Sequence, residues 1–198
     1  MTDTAAQDAV STALPEPGTW TIDSMHSFVT FTVEHFTIAF ARGLASGPAG
    51  QISIAADVAS SSVQASINAA TITTGNALRD EKVLGPDVLD VAGYPTIDFS
   101  SRKVTATAPG RYAVEGNLTI HGVTQPATLD LMVHGVVTDT WGKLRLGLTA
   151  TAEIQRSDFG VLKFGHVPLA AGGFMVPDTV RVALDLEATR DQPGPAGA

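Results

Sequence analysis

The chain has 198 residues, 44% hydrophobic and 16% charged, with a net charge of −8. That balance excludes a disordered chain and disfavours nucleic-acid phosphates or anionic lipid surfaces as partners. There is no cysteine, so disulfides, thiolate metal ligands and thiol catalysis are excluded.

The length suits one domain with a genuine core. Residues 1–17 are small and polar, end in Pro15-Glu16-Pro17, and read as a mobile arm. The first eighteen residues hold no Lys or Arg and no apolar run of the secretory kind, so a cytoplasmic protein is expected. No apolar stretch approaches a membrane span, and stable membrane insertion is not expected. The domain is expected over 18–189, with a flexible Pro/Gly/Ala-rich tail over 190–198.

Strand patterns follow in order. Residues 27–35 alternate, with Val29, Phe31, Val33 and His35 on one face and Thr30, Thr32 and Glu34 on the other. Strands are expected over 51–54 and 62–73. The rhythm breaks at 76–84, where helix formers predominate. Asn76 can cap a short helix there and Gly85-Pro86 can stop it. A second short turn over 87–91 would follow.

Further strands are expected over 96–105, 111–120, 127–139, 144–154 and 179–188. Ala127, Leu129, Leu131 and Val133 share one face of theirs, and Val180, Val182, Leu184 and Leu186 one face of the last. Turn signals separate them at 46–50, 108–110, 121–122 and 141–142. About eight strands at this spacing predict an all-β, antiparallel barrel or sandwich. The helix near 76–84 would close or flank one end.

Several segments carry a family likeness. They are Asp23 with His26-Ser27, Phe31, Val33 and His35; Thr74, Asn76 and Arg79-Asp80; and the runs 94–100, 116–124 and Arg156-Ser157-Asp158-Phe159-Gly160. In this order and spacing the chain resembles the YceI-like family over about 19–189. The resemblance implies a lipocalin-like barrel that binds a polyisoprenoid or other lipid-like molecule, and it makes a homodimer plausible. Three places depart from the pattern. The helix reads Arg79-Asp80-Glu81-Lys82-Val83-Leu84 without its usual histidine. Val88-Leu89 stand where paired aromatics usually precede Asp90. Leu44 and Ala45 follow Arg42-Gly43 where an aromatic is usual. Fewer aromatics at the mouth predict a pocket that is wider or shaped for another molecule.

The apolar faces nominate Val29, Phe31, Val33, Ile97, Phe99, Leu129, Leu131, Leu146 and Leu148 for the interior. From pattern alone they could fill a core solidly; the resemblance implies a ligand cavity instead. Val88, Leu89 and Phe159 are candidate neighbours of that ligand. Thr74, Asn76, Arg79 and Asp80 have two readings: anchors for a polar head group, or an ion pair of Arg79 with Asp23 or Asp158 that fastens the helix.

His26 and His35 are about 30 Å apart along an extended strand, and no pair shows ligand spacing, so no metal site is expected. Asp23, His26 and Ser27 sit too close in sequence for a catalytic triad and lack an oxyanion turn; His26 and Ser27 would cap the strand entry. Arg156-Ser157-Asp158 reads as a corner in which Asp158 pairs with Arg156 or Arg79. The glycine-rich 170–173 stretch is a candidate mouth loop.

The function expected is a non-catalytic carrier sequestering a long isoprenoid or similar amphipathic molecule. It needs no cofactor, and an isoprenoid or fatty-acid-like ligand would be its partner. The alternatives are a cavity-type enzyme, a cyclase or isomerase folding an apolar substrate, and a stress-linked interaction module. Exposed edge strands would permit a homodimer.

Overall fold

The period-two alternation becomes the two faces of one curved sheet. The computed structural model describes residues 14–161 and 165–191. Among them are ten strands: β1 (Gly18–Ile22), β2 (Phe28–His35), β3 (Ala39–Ser46), β4 (Ala49–Ile54), β5 (Ser62–Asn68), β6 (Thr96–Ala108), β7 (Arg111–Ile120), β8 (Val123–Thr138), β9 (Leu144–Gln155) and β10 (Thr179–Arg190). One α-helix, α1 (Ala77–Leu84), lies between β5 and β6.

The strands are hydrogen-bonded in the order β1-β4-β5-β6-β7-β8-β9-β10-β2-β3, and β1 also pairs with β10. β10 uses Val180 to Asp185 against β2 and Ala188 to Arg190 against β1. β1 and β2 therefore run end to end along one edge of β10, and β4 and β3 do the same one strand further out. β1 and β4 to β10 thus close an eight-strand antiparallel ring, while β2 and β3 extend it and β3 keeps an outer edge met, among the described residues, by the single Leu44–Thr73 bridge.

The gap between β1 and β2 is bridged by a side chain. The Ser27 hydroxyl donates to the Glu187 carbonyl (3.2 Å) and accepts from the Glu187 N–H (3.0 Å), and Ser27 is fully buried. Asp23 N–H donates to the same carbonyl at 2.8 Å. The expected strand-entry role of Ser27 is thus realised across the sheet.

The sequence pattern missed β1 and β3. β1 is only five residues long, and β3 (Ala39–Ser46) is rich in alanine and glycine, which signal strand weakly. The strand expected over 62–73 stops at Asn68, whose side chain accepts from Ala70 N–H (3.0 Å) and opens a 3₁₀ turn. The chain then returns to β3, where Thr73 and Leu44 exchange both backbone hydrogen bonds at 2.8 Å. That bridge sets α1 beside one end of the barrel. Asn76 caps α1 as expected, accepting from Arg79 N–H (3.1 Å), and the helix ends before Gly85.

Of the expected arm, residues 1–13 lie outside the described residues, while Leu14 packs on the core. Of the expected tail, 192–198 lie outside them, and β10 runs on to Arg190.

One end of the barrel is solid. Trp20, Val133 and Leu146 are wholly shielded there, with Val114, Tyr112, Val104, Ile54 and Ala188 packed around them. This floor leaves the other half of the barrel to the site.

Candidate ligand cavity

Above the floor the barrel is hollow, with a cavity of about 660 Å³, well within the range of small-molecule sites. Its wall is built strand by strand. β2 contributes Val29, Phe31 and Val33; β6 contributes Ile97 and Phe99; β8 contributes Leu129 and Leu131; and β9 contributes Leu148. Val88 and Leu89, from the turn after α1, and Phe159, from the 3₁₀ turn Arg156–Phe159, complete the apolar lining. Thr74 and Arg79 also reach it.

Three nominated residues do not. Leu146 is fully buried in the floor, because its neighbours Trp20 and Val133 close the barrel at that level. Asn76 is consumed as the helix cap. Asp80 turns to its own loop, accepting from Thr73 Oγ1 (2.6 Å), Thr74 N–H (2.7 Å) and Thr74 Oγ1. Those bonds, the one from Thr73 foremost, hold its carboxyl below the usual range.

The lining also includes residues not nominated: Val182, Leu184 and Leu186 of β10, Leu118 and Ile120 of β7, and Ile154 of β9. Their signal was present, since each sits on the inward phase of an alternating strand.

The cavity stays open because two large rings lie flat against the wall. A Cβ placed on Gly43 would meet Cζ of Phe31 at 2.1 Å, and one on Gly116 would meet Cζ of Phe99 at 2.5 Å. Each phenylalanine thus occupies the space that the neighbouring strand's inward glycine leaves empty.

The mouth is ringed by the β2–β3 hairpin (His35 and Phe40), by Arg79, Lys82 and Val83 of α1, and by Arg156, Met175 and Val176. Arg79 donates through Nε to Thr74 Oγ1 (2.7 Å) and through Nη2 to the Thr74 carbonyl (2.8 Å). Neither Asp23 nor Asp158 is its partner. Arg156 donates to the carbonyls of Pro177 (3.0 Å) and Val176 (2.7 Å), and burial lowers its pKa. The corner's acidic partner is Asp178, which accepts from Ser157 N–H (2.8 Å) and Oγ (2.5 Å). Among the described residues Asp158 offers its carbonyl, to Gln125 (2.9 Å), and no side-chain hydrogen bond. A hydrogen-bonding partner 21 residues away could not be read from the local pattern. Of the glycine-rich stretch expected at the mouth, Gly172 N–H closes a tight turn onto the Leu169 carbonyl (3.0 Å).

A second polar group lies on the outer wall. Arg145 donates to Asp23 (2.8 Å), Asp139 (2.7 Å) and Glu187, and Asp23 also meets His26 Nδ1 at 2.9 Å. Ligand atoms of Asp23, His26 and Glu187 come within 4.8 Å of one another, a convergence that spacing along one strand did not reveal. The Arg145 guanidinium bridges the two carboxylates.

The hydrogen bond from His26, then that from Arg145, hold the Asp23 carboxyl down to about 2 from 3.8, against the opposing effect of burial. A folded-state value below the unfolded one stabilises the fold above pH ~4, and that contribution disappears as pH falls toward 2. Urea midpoints measured across this window are expected to fall more steeply for the wild-type chain than for Asp23→Asn. Parallel curves would show that the carboxylate contributes nothing.

A YceI-like domain model matches residues 20–188. The chain belongs to the YceI-like family. This YceI-like chain is 34% identical to a UPF0312 protein of Pseudomonas savastanoi pv. phaseolicola over 140 residues, which is 70% of this chain and 73% of that protein. Its fold is similar to that of Burkholderia cenocepacia BcnA (TM-score 0.70, 24% identity, 85% of this chain and 99% of that one). It is also similar to a polyisoprenoid binding domain from Saccharophagus degradans implicated in plant cell wall breakdown (TM-score 0.66, 18% identity, 87% and 98% coverage). Among the described residues of this YceI-like chain, no helix is long and apolar enough to cross a membrane.

Proposed function

We propose that this YceI-like chain is a non-catalytic carrier that sequesters a long isoprenoid or similar single-chain amphiphile in its barrel. The observation that carries this reading is the apolar hollow itself: about 660 Å³, floored at one end and open at the other. The lining is almost wholly carbon, so the gain from filling it is hydrophobic, roughly 0.8 kcal/mol per buried methylene before ordering costs. The polyisoprenoid binding domain of similar fold supports the same ligand class. The lining supplies shape and apolar surface rather than paired acid and base, which favours holding a molecule over transforming it.

Organic extraction of freshly purified protein, followed by mass spectrometry, is expected to release a long-chain lipid in near-stoichiometric amount. Delipidated protein is expected to take up an added prenyl lipid, seen as added mass in native spectra. A chain that arrives empty and refuses every added lipid would sink the carrier reading.

A further inference from the structure

We propose that the β2–β3 hairpin is a membrane-docking tip, which sets the open end of the barrel on a phospholipid bilayer so that a lipid passes between membrane and cavity. This rests on the carrier reading above and names the surface on which the cargo is exchanged.

The hairpin outruns the barrel wall. β10 pairs with β2 as far as Val33, whereas β2 and β3 go on pairing to His35 and Ala39. Beyond Val33 the two strands form a narrow ribbon. Among the described residues its one backbone hydrogen bond to the rest of the fold runs from Phe36 N–H to the Met175 carbonyl (2.7 Å).

The ribbon ends in apolar side chains that face water. Phe36 is 39% exposed, Ile38 86% and Phe40 48%. Phe36 and Thr37 both have left-handed backbone (φ 54° and 59°), and Ile38 N–H closes the turn onto the His35 carbonyl (3.3 Å). A hairpin turn with positive φ at both central positions ordinarily takes Asn-Gly or Asp-Gly, and a β-branched residue there is strained. Solvation and backbone geometry both favour a polar turn, yet this one presents carbon. Such an outlier points to a contact the isolated chain does not make.

Shape, position and charge identify the contact as a bilayer. A ribbon tip is convex and narrow and offers a protein no groove, but it suits insertion at the head-group boundary. The inward side chains of the same ribbon, His35, Ala39 and Ala41, line the cavity, so the lining continues out to the tip. α1 stands on the same rim and adds Leu78, 77% exposed. A tail leaving the membrane by this route enters the hollow without crossing water. Arg42 lies over the Phe40 ring (5.9 Å to its centre). Neither Arg42 nor Lys82 of α1 forms an ion pair among the described residues, and long basic side chains beside an apolar tip reach lipid phosphates. Glu34, opposite Phe40, is the acid on the ribbon. The net charge of −8 opposes strongly anionic membranes, so a zwitterionic bilayer is the surface expected.

The test floats the full-length chain with phosphatidylcholine vesicles, and in parallel follows uptake of a fluorescent prenyl lipid by delipidated chain. Wild-type chain is expected to float with the vesicles, nearly alike at low and high salt because apolar burial drives the contact. Phe36→Ser/Ile38→Ser is expected to lower partitioning about tenfold or more. Neither residue lines the cavity, so equilibrium lipid binding should hold while transfer out of vesicles slows by a similar factor. Ile38→Trp is expected to raise partitioning, since an indole favours the interface. Trp141→Ser should change nothing, because Trp141, though 80% exposed, belongs to the β8–β9 hairpin beyond the floor. A wild-type chain that binds prenyl lipid yet ignores vesicles would overturn the docking inference and leave the carrier intact, as would a double variant that floats as well as wild type. A concentration-dependent dimer in sedimentation velocity, abolished by the double change, would overturn it in favour of a second copy on the tip. A chain that floats but takes up no prenyl lipid would uphold the tip and defeat the carrier reading.

Discussion

Replacing Gly43 with alanine is expected to cost the cavity its ligand while barely touching the stability of the barrel. The new methyl carbon would stand 2.1 Å from Cζ of Phe31, a separation that no real contact tolerates. The clashing atom is the far end of a side chain that borders open space, so the ring can swing away from the wall and into the hollow. Relief of the clash therefore removes room rather than unfolding the strand. Overfilling a site costs about 1–3 kcal/mol, and 1.4 kcal/mol is a factor of ten, so affinity for a prenyl lipid should fall about tenfold or more. The melting temperature should move little, because alanine also restricts the unfolded chain relative to glycine.

Titration of delipidated Gly43→Ala with a prenyl lipid, beside a thermal melt, separates the two effects. Phe31→Ala/Gly43→Ala should recover binding, since removing the ring removes the obstruction. Unchanged affinity with a lowered melting temperature would defeat the idea that this ring-on-glycine contact keeps the cavity open. Gly116 provides the contrast. A Cβ there would meet not only Phe99 but also the Ser100 carbonyl oxygen at 2.6 Å. Backbone cannot swing aside, so the same change at that position should destabilise the fold.

The largest stability effect is expected at the floor. Trp20 is wholly shielded from solvent and belongs to β1, whose residues pair on one side with β10 and on the other with β4. It therefore packs the core at the seam where the barrel closes. Truncation of a large buried aromatic costs about 3–5 kcal/mol, and Trp20→Ala should lie at the upper end because the surrounding strands are tied into a ring and cannot collapse freely. Its indole N–H is buried without a hydrogen-bond partner among the described residues. An unmet donor costs about 1–3 kcal/mol, so Trp20→Phe, which deletes it, should cost less than half as much as Trp20→Ala. Urea unfolding of the two variants decides the matter. A loss below about 1 kcal/mol for Trp20→Ala would show that the seam does not depend on this side chain.

Much of the cavity wall was legible in the chain because alternation is a local signal. Val29, Phe31 and Val33 had to share a face once that segment was extended, and so had Leu129 and Leu131. The helix was equally plain, since Asn76 and Gly85 mark its two ends by chemistry that acts within one turn. Misplacement came where depth along the barrel mattered. Leu146 and Leu148 have the same phase on β9, yet one is sealed under Trp20 and the other borders the hollow. Phase says which side of the sheet a residue faces, but not how far from the floor it lies.

Ion-pair partners were likewise beyond reach. Arg145 meets Asp23 from 122 positions away and Glu187 from 42, and only closure of the ring makes them neighbours. What the amino-acid order determined by itself was the extended character of most of the strands, the inward set of side chains on those strands, and one capped helix, because each follows from backbone periodicity and short-range hydrogen bonding. What only the folded barrel decided was the pairing of β1 with β10, the emptiness of the upper half, and the cations gathered at its mouth. Those depend on distances between segments far apart along the chain, and local propensity carries no information about such distances.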